Sequence, residues 1–332
     1  MVGGKGTRLR PLTDNRPKPI LPVLDKPCLS YLIRSLADGG IENVILACGY
    51  RSEAMAAAIG DGTAEGIKIE YSYEDVPMGT AGAIKLLEDK LDETFIAVNG
   101  DVFADIDLKG EIEDHKRTGA SLTMSLLRMD NVNEFGVAVT DDTGRVTGFQ
   151  EKPPKGTELS DLANTGIYVI EKEILKYVPK GVMYDFSKEL TPDIMSKGYK
   201  VQGYITNGLW MDVGRPRDLI GANLAAAKRF GRTEYEGVTR TKADGTFYVG
   251  QGSTVTDSEL LDSVISKGSV VTDSKISGSL IMASCTIDGA VISGSILGER
   301  CIIRKGASVI DSVLADGTVV GSGIIEGKKG GQ

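Results

Sequence analysis

The residues with most chemistry to offer stand at the N-terminus, in V-G-G-K-G-T-R-L-R-P-L-T-D-N-R-P-K-P, Val2 to Pro19. Gly3, Gly4 and Gly6 sit among Lys5, Arg8, Arg10, Arg16 and Lys18, with Asp14 the one acid, in a chain of net charge -8. Glycines let a backbone turn its N–H groups inward and let a ligand approach without Cβ obstruction. Arginine and lysine neutralise an anion and fix its geometry. Together they describe a polyphosphate cradle. It is neither a Walker loop nor the dinucleotide G-x-G-x-x-G fingerprint. Two aspartates end apolar runs, Asp101 in F-I-A-V-N-G-D and Asp212 in W-M-D-V-G. An acid after a strand either holds a metal or caps the next turn. Glu151-Lys152-Pro153 sets opposite charges side by side, which serves a ligand or a plain surface ion pair.

Much chemistry is excluded. The single histidine, His115, falls in the charged string L-K-G-E-I-E-D-H-K-R-T-G and reads as an exposed helix residue. That leaves no Ser-His-Asp relay and no histidine metal cage. The separated Cys28, Cys48, Cys285 and Cys301 make neither a disulfide framework nor a zinc spacing, so a reduced, cytoplasmic protein is expected. The acidic balance and the lack of a basic stripe argue against nucleic acid. No apolar run is long enough to span a bilayer.

These residues need elements to position them. Leu29, Leu32, Ile33 and Leu36 follow helical spacing and stop at Gly39-Gly40. Val44–Ala47 reads as a buried strand, followed by a helix near Ser52–Ile59 and a strand near Ile67–Tyr73. A helix near Ala81–Leu91 and a strand at Phe95–Val98 come next. Strands alternating with helices predict an α/β domain with a doubly wound, mostly parallel sheet. Ser121–Phe149 reads as a β insertion turning at Asp141–Gly144, with helices near 171–177, 188–197 and 216–230. Only Met1 and Val2 precede the glycines, which places the start of the chain inside its first strand.

The composition changes after about residue 245. Ser, Thr, Gly, Val and Ile dominate, and aliphatics return about every six residues, as at Val249 and Val255, Ile281 and Ile287, Val313 and Val319. That is the mark of a hexapeptide β-helix. The expected organisation is therefore a domain over 1–230, a linker over 231–245 and a β-helix over 246–332. Exposed terminal coils suggest a homo-oligomer.

The N-terminal string resembles the signature of the sugar-1-phosphate nucleotidylyltransferases, and further motifs follow in order. Pro77-Met78-Gly79-Thr80-Ala81-Gly82 resembles P-L-G-T-A-G, and the Asp101 and Asp212 strings, Glu151-Lys152-Pro153 and Ala163-Asn164-Thr165-Gly166 also match. The resemblance implies joining of an NTP to a hexose 1-phosphate with release of pyrophosphate. Among members it is most similar to the mannose-1-phosphate guanylyltransferases with a left-handed β-helix tail. Glucose-1-phosphate thymidylyl- and uridylyltransferases share much of it, and non-catalytic regulators use the same scaffold.

Residue by residue, the resemblance assigns Arg8 and Lys18 to the phosphates at the transfer point. Gly3, Gly4, Gly6, Thr7, Gly79 and Thr80 go to the nucleotide, with a helix start at Gly79 supplying free N–H groups. Glu151, Lys152, Asn164, Thr165 and Gly166 go to the sugar phosphate. Asp101 and Asp212 would hold Mg2+. Arg10 and Arg16 receive no role and read as solvated. A phosphate nucleophile is already an anion, so the reaction needs alignment and charge neutralisation rather than a general base.

Overall fold

The computed structural model describes residues 1–4, 6–49, 52–74, 76–231 and 236–330. Lys5, Asp75 and residues 232–235 of the expected linker lie outside them. The chain divides into two compact units, Met1–Gly3 with Tyr31–Trp210, and Gly4–Ser30 with Met211–Gln332. The cationic loop and the helix over 216–230 therefore group with the C-terminal coils.

Helix α1 (Cys28–Asp38) buries Leu29, Leu32, Ile33 and Leu36 and ends before Gly40, whose φ of +85° suits a helix stop. In the first unit β1 (Asn43–Cys48), α2 (Ser52–Ile59), β2 (Lys68–Tyr73), α3 (Gly79–Lys85) and β3 (Thr94–Val98) follow the expected alternation. Next come β4 (Val102–Ile106), α4 (Leu108–Thr118), β5 (Leu122–Arg128) and the hairpin of β6 (Gly136–Thr140) and β7 (Val146–Glu151). Strand β8 (Leu162–Glu171), helix α5 (Thr191–Ser196), β9 (Val201–Ile205) and β10 (Gly208–Asp212) complete it.

Strand β1 runs parallel to β2, and β9 parallel to β5. Strand β8 runs antiparallel to β3, β5 and β6, and β6 antiparallel to β7, so β3 and β5 share one direction on either side of β8. Its first nine residues are buried, which makes it the spine of the core with Leu122, Met124, Ile174 and Phe186. Met1 and Val2 bridge two strand ends. The Val2 N–H donates to the Ala47 carbonyl (2.9 Å), the Met1 amine to Val98 (2.8 Å), and the Gly100 N–H to the Met1 carbonyl (2.8 Å). Burial drives the Met1 amine below its ordinary pKa, with the Asp101 carboxylate opposing that.

In the second unit, α6 (Pro216–Phe230) starts at a proline and packs against a β-solenoid with six stacked strands along one face. Val238–Thr239 and Lys242–Val249, partly within the stretch read as a linker, already stack on it. The β-helix is present, with sides of both six and five residues. Val255, Val271, Ile287 and Ile303 stack at steps of 16 residues. Inward-facing Val255, Leu260, Ile265 and Val271 divide these coils into sides of five, five and six residues, while the last coil, Ile303 to Val320, takes 17. The six-residue side alone produced the periodicity visible in the sequence. Corners are built from one left-handed residue followed by a small buried one. Asp257, Asp273 and Gly278 have φ of +52°, +47° and +54°, and Ser258, Ser274 and Ser279 follow them. Each serine hydroxyl accepts the backbone N–H one coil on, as Ser258 does from Ser274 (3.2 Å) and Ser279 from Ser295 (3.0 Å). The serine content therefore satisfies backbone donors where the chain turns.

The exposed-helix reading of His115 is overturned. Its ring is 1 % exposed, with Nδ1 2.8 Å from Thr123 Oγ1 and Nε2 3.0 Å from Glu171 Oε1. Leu108, Glu111 and His115 form the buried face of α4, so polar residues occupy a stripe that periodicity reserves for apolar ones. Neither carboxyl oxygen of Glu111 makes a hydrogen bond of good geometry. Burial pushes that carboxyl up to about 8, and the Ser125 hydroxyl offsets this only in part. An acid whose pKa is raised by folding contributes full stability below its unfolded pKa and loses it as pH rises toward 8. Glu111→Gln should therefore be close to neutral for stability at pH 5. It should become stabilising between pH 5 and 8, on the order of 1 kcal/mol per pH unit. Melting curves of both proteins across that range check this, and parallel curves would refute it.

Candidate active site

In the second unit the cationic loop closes on itself. Gly6 has φ of +56°, and a Cβ there would lie 3.0 Å from Thr13 Cγ2 and 3.3 Å from Lys18 Cβ. The Thr13 hydroxyl donates to the Gly6 carbonyl at 2.8 Å. Glycine is thus required where the loop crosses over Lys18. Lys18 is buried, and its Nζ lies 3.0 Å from Asp212 Oδ1. A second cation, Arg8, stands near the same aspartate across Gly214. A Cβ on Gly214 would sit 3.0 Å from Arg8 Nη2 and 3.1 Å from Asp212 Oδ2, so W-M-D-V-G needs its glycine to leave room for both. Arg8, Lys18 and Asp212 are brought together, with Thr7 and Arg8 exposed toward solvent. Arg10 is solvated as expected and pairs with Asp14 at 3.3 Å. Arg16 is not: it is held by Glu299 and Asp316.

Asp101 lies in the first unit, at a half-buried position after the Asn99-Gly100 turn. Asn99 fixes that turn to the A-N-T-G loop, donating its N–H to the Gly166 carbonyl at 2.9 Å. Gly166 has φ of +76°, and a Cβ there would lie 2.2 Å from Asn99 Nδ2. The ladder between β8 and β5 shifts register between Asn164 and Tyr168, and the loop sits in that bulge. Asn164 donates to the Tyr168 hydroxyl (2.7 Å) and accepts the Gly166 N–H (3.0 Å). Thr165 turns inward. Its hydroxyl donates to the Ser125 carbonyl (3.0 Å) and its own carbonyl takes the Trp210 indole N–H (3.1 Å), so it shapes the loop rather than facing a ligand.

Trp210 meets Phe135 edge-on at 5.4 Å. Beside Phe135, Gly136 pairs with Glu151, and a Cβ on Gly136 would lie 3.1 Å from Glu151 Oε2. Lys152 follows with φ of +48°, a left-handed conformation uncommon for a lysine, held by its N–H to the Phe135 carbonyl at 3.0 Å. Strain of this kind concentrates at ligand sites. Burial raises the Tyr168 phenol, with Glu151 and Asp185 nearby adding to the rise.

The free helix start expected at Gly79 is a further correction. The Thr80 N–H donates to Asp185 Oδ1 (3.0 Å), and the Ala81 and Gly82 N–H groups both donate to the Tyr184 carbonyl (2.9 Å each). A Cβ on Gly79 would lie 2.8 Å from that carbonyl. The glycines let the Tyr184–Asp185 segment lie across the turn and use its donors. Asp185 and Tyr168 escaped the sequence reading because neither belongs to a glycine string. A cleft of about 760 Å³ lies elsewhere, between the 128–133 and 155–161 loops, and includes none of the expected residues. Among the described residues no helix is long and apolar enough to cross a membrane.

An α/β unit, a cationic glycine loop and a β-solenoid together define a class. The chain belongs to the nucleotidyl transferase family, whose model matches residues 1–229. It is 39 % identical over 225 residues to a mannose-1-phosphate guanylyltransferase of Mycobacterium tuberculosis, covering 66 % of this chain and 61 % of that protein. It is 33 % identical over 232 residues to a UTP–glucose-1-phosphate uridylyltransferase of Synechocystis, covering 66 % and 60 %. Among solved structures, HddC of Yersinia pseudotuberculosis is similar with a TM-score of 0.58 and 27 % identity, over 67 % of this chain and 95 % of that one. The match thus spans about three fifths of the length of these curated relatives.

Gly166→Ala should destabilise the first unit by about 2 kcal/mol or more, from left-handed strain plus the clash with Asn99. Gly40→Ala carries the strain without a clash, since nothing lies within 4 Å of its Cβ position. A larger fall in melting temperature for Gly166→Ala than for Gly40→Ala is expected. Equal falls would remove the Asn99 contact from the account.

Proposed function

We propose that this chain transfers a nucleotidyl group from an NTP to a hexose 1-phosphate, giving an NDP-hexose and pyrophosphate, with GTP and mannose 1-phosphate as its pair. The observation that carries the reading is a glycine loop with Lys18 paired to Asp212 and Arg8 beside them across Gly214. A phosphate oxygen of the sugar phosphate bonds to the α-phosphorus, and the bridging oxygen leaves with pyrophosphate. Arg8 and Lys18 neutralise the charge that develops, and Gly3, Gly4, Gly6 and Thr7 give the triphosphate backbone contact. Glu151 would accept sugar hydroxyls and Lys152 would bind the sugar phosphate, on the loop shaped by Asn164, Thr165 and Gly166. Gly79 and Thr80 would flank the base. Mannose is favoured because several matched relatives carry that name, among them proteins of M. tuberculosis and Arabidopsis thaliana.

Asp101 in the first unit and Asp212 in the second each offer a carboxylate to Mg2+, a hard cation that takes carboxylate and phosphate oxygens. Among the described residues no group of three or more His, Cys, Asp or Glu gathers. An ion on either carboxylate would complete its coordination with water and substrate phosphates. Bound there, it would supply charge neutralisation on the phosphates. A reducing, cytoplasmic setting accords with four buried cysteines outside any disulfide. Assembly through the solenoid accords with the exposed column of Val270, Ile302 and Val319.

Pyrophosphate release across GTP, dTTP, UTP, CTP and ATP against mannose, glucose and glucosamine 1-phosphates, with and without Mg2+, tests the reading. Selective release with GTP and mannose 1-phosphate is expected, and Asp101→Ala and Asp212→Ala should each abolish it without unfolding. Preference for UTP or dTTP with glucose 1-phosphate would move the substrate, and silence throughout would favour a regulator. Lys152→Ala should raise KM for the sugar phosphate about tenfold or more with little change for the NTP. Equal rises would end its assignment.

A further inference from the structure

Arg16 belongs to the cationic loop, yet its partners lie about three hundred residues away. Its Nη1 is 2.5 Å from Glu299 Oε1, and its Nη2 bonds Asp316 Oδ2. The arginine side chain is 15 % exposed, Glu299 27 % and Asp316 15 %. Burial alone would lower the guanidinium pKa, but the bonds to the two carboxylates outweigh it and raise it. Glu299 shows the reciprocal effect: burial would raise it, and Arg16 holds it below the usual range. The carboxylates are placed by the solenoid. Asp316 Oδ1 accepts the Glu299 N–H one coil below at 2.9 Å. A Cβ on the preceding Gly298 would meet the Asp316 backbone at 2.6 Å. Two residues beyond Arg16 stands Lys18, on Asp212. At the far end of the segment Asp25 accepts the Tyr248 hydroxyl and the Lys267 N–H, each at 2.8 Å. The stretch carrying Lys18 is thus fastened to the coils at both ends.

We infer that Arg16 is a positioning residue, and that Glu299 and Asp316 of the solenoid hold the phosphate loop in the geometry that presents Arg8 and Lys18. This rests on the proposed nucleotidyl transfer for its kinetic consequence, though not for its structural one. Two guanidinium edges bound to two partly buried carboxylates make a directional tie rather than a diffuse attraction. Displacing a catalytic group by about 1 Å can cost on the order of a hundredfold in rate.

The test uses the full chain with Arg16→Ala, Arg16→Lys, the double variant Glu299→Gln/Asp316→Asn, and all three changes of Arg16→Ala and the double variant combined. Amide hydrogen exchange over residues 3–18 and steady-state kinetics for GTP are measured on each. The clamp predicts at least tenfold faster exchange in that segment for Arg16→Ala and for the double variant. It predicts a fall of about tenfold or more in kcat/KM for each. The combined variant should be no worse than either, and Arg16→Lys should recover part of the loss. If the double variant is unchanged in kcat/KM while Arg16→Ala is impaired, Arg16 meets the triphosphate itself and the clamp is wrong. Unaltered exchange in both also overturns it. Should the parent chain release no pyrophosphate with any pair, the failure is that of the proposed function, and exchange alone decides the clamp.

Discussion

A loop built to receive a polyanion holds like charges close together before the anion arrives, and mutual repulsion would scatter them. The structure meets this constraint by giving cations of the loop carboxylates drawn from distant sequence. Lys18 takes Asp212, Arg16 takes Glu299 and Asp316, and Arg10 takes its neighbour Asp14. The pairing is graded by burial. Arg10 and Asp14 are both about half exposed, a pair worth little. Lys18 and Arg16 are sheltered, so losing a partner there leaves a charge that water cannot easily screen. On the proposed function, an incoming phosphate would compete with Asp212 for a cation already held in place.

The first unit stores a different kind of order. Lys152 sits in the left-handed region and Gly166 occupies a place that no side chain could share with Asn99. Both are local costs that the surrounding sheet overrides, through the Phe135 carbonyl in one case and the register shift in β8 in the other. Such arrangements persist where function selects geometry over stability. Buried Glu111 is a cost of another sort, a carboxyl kept protonated by its surroundings.

Much of this was legible in the residues. Short strings with glycine at fixed positions, such as G-G-K-G-T-R and W-M-D-V-G, announce themselves, and at Gly6 and Gly214 a side chain would crowd its neighbours. The element alternation was legible because apolar spacing distinguishes helix from strand. What stayed hidden depends on partners far along the chain. Arg16 looked solvated because its carboxylates belong to coils near the other terminus. The donors of the Gly79 turn looked open because nothing in P-M-G-T-A-G points to Tyr184 and Asp185. His115 looked exposed because its neighbours in sequence are charged, while its neighbours in space are Thr123 and Glu171. The solenoid was recognisable by its aliphatics, but one side of six residues concealed two sides of five.

The coils that fasten the N-terminal segment also measure it. Asp25 is tied at the level of Lys267, and Arg16 at Glu299 and Asp316, two and three coils further along. Stacked strands are spaced by about 4.8 Å, so the anchor points stand roughly 10–14 Å apart along the solenoid axis. The solenoid is in this sense a ruler with one graduation per coil. Evolution can lengthen such a repeat by whole coils at its free end at little cost. A coil gained or lost between Lys267 and Glu299 would instead slide one anchor past the other by a full graduation. The interval is therefore a part of the repeat whose length is not free to drift, although its sequence looks like other turns.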